Sequence, residues 1–110
     1  HKRWVEVFNS HDLDAHAALY TEDAMLFGSV PELIIGRAAI RDYFGGRGPK
    51  VHVARYPFPR VMMISDSVAA TAAAVDFADG DTPMPYRVTW MLVKNQGEWK
   101  IAQHHGSPRG

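Results

Sequence analysis

The chain has no cysteine among its 110 residues. Disulfides, thiolate metal sites and a cysteine nucleophile are therefore excluded, and the redox compartment stays open. Charge of one sign is also lacking: 12 Lys and Arg balance 12 Asp and Glu. No overall field draws the protein to nucleic acid or an anionic membrane, and neither partner is expected. No apolar run approaches the roughly 18 residues of a membrane-spanning helix. No leader pattern is visible, so the cytoplasm is the expected location. The opening "HKRWVEVF" begins in mid-pattern, as if residues preceded it. "FGGRGPK" has glycines but neither the strand-to-helix context nor the Lys-Ser/Thr ending of a phosphate loop. It reads instead as a mobile loop. There is no nucleophile elbow and no dinucleotide or flavin fingerprint, so no cofactor is expected.

What is present is enough apolar material, 46% of the residues, for one domain spanning 1–110. The first half reads helical. Trp4, Val5, Val7 and Phe8 crowd one side of a short helix. In "NSHDLDAHAALYTEDA" a turn leads into a second helix, capped by Asn9, Ser10 or Asp12. Leu13, Ala17 and Tyr20 follow its spacing, with His16 beside the stripe. "AMLFG" reads as a strand, "SVPELIIG" as a connector or hairpin, and "GRAAIRDYFGG" as a third helix with Ile40, Tyr43 and Phe44 on one face. Beyond Pro49, five strand-like runs are separated by "SDS", "DGDTP" and "NQG", which are turn chemistry. "AATAAAV" is read as a strand despite alanine's helical preference, because turns flank it. Helices followed by an antiparallel meander define an α+β class.

The order of helix, "DLDAHAALYTEDA", strand, "GRAAIRDYF" and long strands ending "WKIAQHHGS" resembles the SnoaL-like branch of the nuclear transport factor 2-like superfamily. The similarity is greatest to its SgcJ/EcaC-type members, and extends to the association domain of calcium/calmodulin-dependent protein kinase II. The resemblance implies a cone-shaped, curved antiparallel sheet wrapped around about three N-terminal helices (a cystatin-like fold), with a pocket at the open end. It also implies self-association as a homodimer or larger ring through the outer sheet face. The family's two histidines are usually followed by two serines; here Gly106 replaces the first. The first helix also looks shortened.

Strand alternation places Trp99, Ile101, Gln103 and His105 on one face, and Lys100, Ala102 and His104 on the other, unless a bulge intervenes. Adjacent histidines pointing apart chelate poorly, and no ligand spacing accompanies them, so no metal site is expected. His105 is read either as a core-rim side chain or as a pocket histidine; His104 is assigned to the outer face or a subunit contact. Arg87 in "MPYRVTW" shares a face with Thr89, Met91 and Val93, which is largely apolar. A buried arginine there must pair with a carboxylate such as Asp76 or Asp23, or grip an anionic ligand. Tyr20, Tyr43, Trp90 and Phe27 are the aromatic candidates for lining the pocket. The acid/base candidates are His105, Asp23 and Asp76, although Asp23 also suits a helix end. "HVARYPFPRV" alternates arginines with aromatics, but reads better as a strand crossing bent at its prolines. Two functions remain: a small-molecule-binding, oligomerising module for a compact anionic ligand, and a small isomerase, cyclase or hydrolase. Binding is favoured because no complete catalytic set can be assembled.

Overall fold

In the computed structural model, which describes residues 1–57 and 59–109, three helices precede or interrupt a single seven-stranded sheet. Helix α1 (Lys2–Ser10) buries Trp4, Val7 and Phe8, an i, i+3, i+4 stripe. It ends where His11 turns left-handed at φ 60°. Helix α2 (Leu13–Ala17) starts on Asp12, whose carboxylate accepts the Ala15 N–H at 3.0 Å. Strand β1 (Tyr20–Phe27) pairs with the short β2 (Ile34–Ile35), and α3 (Arg37–Gly45) follows, burying Ile40 and Phe44.

The remaining strands are β3 (Val51–Arg55), β4 (Arg60–Ser65), β5 (Val68–Asp79), β6 (Thr82–Asn95) and β7 (Glu98–Pro108). The sheet order is β2-β1-β7-β6-β5-β3, with β4 also paired to β5. β3 lies along one end of β5 and β4 along the other. One edge line is thus broken at Pro57 and Pro59, the bend expected for that proline-containing stretch. Its Phe58 lies outside the described residues. "AATAAAV" is strand throughout, paired residue for residue with β6. At the β6–β7 turn, Gln96 and Gly97 both have positive φ (53° and 79°), the backbone that lets a two-residue hairpin follow the sheet twist.

Three expectations change. Tyr20 does not extend α2. The helix stops at Ala17, and Tyr20 opens β1, with its carbonyl held by the Arg37 guanidinium at 2.6 and 3.0 Å and its pairing to Ile101. Asp23 is therefore neither a cap nor a helix end: it is an exposed strand residue whose carboxylate takes the Thr21 hydroxyl. The sheet is not wholly antiparallel either, because β1 runs parallel to β7. The chain returns from β6 to β7 by a tight hairpin, which leaves β7 pointing the same way as β1.

The curved sheet packs its concave face on the helices. Trp4, Phe8, Tyr20, Leu26, Ile40, Phe44, Val75, Val88, Trp90 and Ile101 belong to one buried cluster. Burying side chains of this size stabilises by roughly 1.5–3 kcal/mol each. Among the described residues, no helix is long and apolar enough to cross a membrane.

Candidate functional site

At one end of the cone the concave face stays open. A cleft of about 570 Å³ runs between the end of α3, α1 and strands β3, β5 and β6. Phe8, Tyr43, Phe44, Phe77 and Tyr86 give it aromatic walls, and Arg47 is the charged residue among those lining it. Four of its residues, Tyr43, Phe44, Phe77 and Tyr86, also line a deeper recess of about 40 Å³, floored by Trp4, Val88, His104 and Gly106.

Each polar group here is held by a definite local cause. The Tyr43 hydroxyl accepts the Ser29 N–H at 2.8 Å and sits 2.9 Å from the Ser29 hydroxyl. Only glycine permits this at position 28: a Cβ there would lie 2.3 Å from the Tyr43 oxygen. Arg47 follows Gly46, the C-cap of α3. Its guanidinium lies 3.8 Å over the Phe8 ring and donates to the Phe8 carbonyl at 2.7 Å. The Nε and Nη1 donors are sealed from solvent with no partner among the described residues. Burial draws its pKa below the ordinary value. No carboxylate pairs with it among the described residues.

Beneath the cleft, Trp4 Nε1 donates to the Tyr20 hydroxyl at 3.0 Å, and that hydroxyl lies 2.8 Å from His104 Nδ1. Burial raises the Tyr20 pKa and lowers that of His104 to about 3, with His16 and His105 adding to the latter. His16 is 1% exposed, edge-on to Phe44 at 4.5 Å, and its Nε2 has no partner. Desolvation and then Arg47 lower its pKa to about 3. Both imidazoles are therefore neutral at pH 7.

The two closing histidines take the opposite faces to those expected. Met91 pairs with Gln103 but Leu92 pairs with Ile101, so Ala102 is an extra residue in β7. This bulge turns His104 and Gly106 inward with Ile101, and His105 outward beside Thr89 and Phe27. His105 therefore lines neither the cleft nor the recess. Phe27 is likewise exposed on the outer face.

Arg87 also changes sides. Val88 and Trp90 face the core, so Arg87, Thr89 and Met91 face out, and Arg87 is exposed opposite Ala74. The expected apolar surroundings are the outer sheet surface, where an arginine needs no partner. Asp76 lies outward too, paired with Arg109. Tyr20 and Trp90 are buried rather than cleft-lining; Trp90 stacks on His1 at 3.8 Å. Of the six expected ligand residues, Tyr43 alone lines the cleft. Among the described residues, no three His, Asp or Glu side chains gather as metal ligands do. Arg47, Tyr86 and His104 were not anticipated there. The glycine-rich loop after α3 was the available signal for Arg47, whereas nothing in "AQHH" announces the bulge.

The model of the SnoaL-like domain family matches residues 1–109, and the chain belongs to that family. No curated protein matches it. Among solved structures, a ketosteroid isomerase-like protein from Erwinia carotovora atroseptica SCRI1043 superposes with a TM-score of 0.85 at 22% identity, over 99% of this chain and 90% of that one. A protein of unknown function with a cystatin-like fold from Nostoc punctiforme PCC 73102 gives 0.83 at 12% identity, over 98% and 84%. A candidate calcium/calmodulin-dependent protein kinase II association domain from Xanthomonas campestris gives 0.78 at 22% identity, over 98% and 81%. At these identities the likeness is one of fold.

Proposed function

We propose that the chain binds a compact, largely apolar carboxylate in the cleft of the cone, with Arg47 meeting the acid group. The observation that carries this is Arg47, a half-buried guanidinium at the wall of an aromatic cleft with no carboxylate partner among the described residues. A half-buried cation without a counter-charge favours an anion beside it, and a carboxylate matches the planar guanidinium best. The cleft's volume is that of small-molecule sites. Binding is favoured over catalysis because the residues lining cleft and recess include no Asp or Glu to serve as a base. The test compares 4-isopropylbenzoate with 4-isopropylbenzyl alcohol by thermal shift. The acid is expected to stabilise the protein and the alcohol to do so roughly tenfold more weakly. Arg47→Met is expected to remove that preference. Equal responses to acid and alcohol in the unaltered protein would contradict the role given to Arg47.

Self-association through the outer sheet face forms the second part of the proposal. Met25, Phe27 and Met62 are all more than 40% exposed. Met62 pairs with Ala70, whose small side chain lets another surface approach closely. Sedimentation velocity is expected to show a dimer or larger ring; a monomer at micromolar concentration would refute this part.

A further inference from the structure

The floor of the cleft carries a donor whose direction is set by the residues behind it. Trp4 Nε1 can only donate, so the Tyr20 oxygen accepts that bond at 3.0 Å. Tyr20 is 0% exposed, so its own hydrogen must find an acceptor in the protein. His104 Nδ1, at 2.8 Å, is the acceptor within reach. Nδ1 is then the bare nitrogen, and the ring hydrogen of the neutral imidazole sits on Nε2. Nε2 lies on the Gly106 side of the ring: a Cβ placed on Gly106 would be 3.5 Å from it. Both residues line the 40 Å³ recess, which has about the room of one water or one carbonyl oxygen.

We infer that His104 donates its Nε2–H to a carbonyl oxygen of the ligand, so that the cleft's ligand is a compact keto acid. This rests on the reading of the cleft as a carboxylate site and adds the chemistry of the ligand's inner end. The relay Trp4–Tyr20–His104 acts through position: Trp4 and Tyr20 hold the tautomer, and of the three His104 is the one that donates to the ligand. Gly106 belongs to the same arrangement. A side chain there would intrude where the carbonyl oxygen is to sit.

Two measurements test this. Nitrogen-15 NMR of the unliganded protein is expected to show Nε2 protonated and Nδ1 bare on His104; the opposite tautomer would overturn the inference without reference to any ligand. Binding is then compared for 4-acetylbenzoate and its near-isostere 4-isopropylbenzoate. The keto acid is expected to bind about tenfold more tightly. Equal affinities in the unaltered protein would overturn the inference and leave the carboxylate site standing. Failure of both acids to bind would instead overturn the carboxylate site, and this inference with it.

Discussion

Between pH 6.5 and 4.5 the fold is expected to lose on the order of 5 kcal/mol of stability, measured as the unfolding free energy in urea at a series of pH values. The cause is the pair of buried imidazoles. His16 and His104 are both held neutral, with pKa values pushed down to about 3 chiefly by burial. In the unfolded chain each titrates near 6.5. The unfolded state therefore binds more protons throughout this window, and stability falls as pH falls. Above about pH 6.5 their contribution is fully present. Below it, each histidine costs about 1.4 kcal/mol per pH unit until its folded pKa is approached. A domain of ordinary stability, about 5–15 kcal/mol, would be close to unfolding at the end of that range. His16→Leu is expected to halve the slope. It also removes an unpaired Nε2 from an aromatic cage, so at pH 7 the variant should be about as stable as the original. An unchanged slope in His16→Leu would show that His16 is not a buried neutral group.

Tyr20→Phe is the second large effect, with an expected loss of about 2–6 kcal/mol at pH 7. The hydroxyl makes two buried hydrogen bonds, from Trp4 and to His104. Its removal strands an indole N–H and an imidazole nitrogen together, at roughly 1–3 kcal/mol for each unsatisfied group. The ring itself is retained, so its packing on Phe44 contributes little to the loss. A double-mutant cycle isolates the network: Trp4→Phe should cost less in the Tyr20→Phe background than alone, because one of the two stranded groups is gone. Strict additivity would mean that the bonds contribute nothing beyond packing.

The elements that were legible in the sequence are those governed by local rules. The spacing of Trp4, Val7 and Phe8 defined α1, and Ile40 and Phe44 defined α3. "DGDTP" and "NQG" marked the turns that join β5, β6 and β7, and these turns override the helical preference of "AATAAAV". The class and cone followed from these together with the family resemblance. The site was less legible, because side-chain direction along a strand depends on register. One extra residue at Ala102 exchanged His104 and His105. Likewise, choosing the apolar face of β6 by Met91 and Val93 rather than by Val88 and Trp90 put Arg87 on the wrong side. Tyr20 was misplaced because its helical spacing competed with a long-range pairing to β7 that local patterns cannot reveal. Arg47 lay in a loop that its glycines marked, but nothing local announced its stacking on Phe8 or its bond to the Phe8 carbonyl.

The central claim is that a ligand enters the cleft inside the cone rather than lodging on the outer sheet face. Titrating 4-isopropylbenzoate into nitrogen-15-labelled protein and following the backbone amides tests it most directly. Saturable shifts are predicted at Tyr43, Gly46, Arg47, Val51, Tyr86 and Gly106, which line cleft and recess. Arg87, Thr89 and His105, on the outer face, should stay in place. Shifts concentrated at those three residues, with the cleft amides unmoved, would contradict the claim.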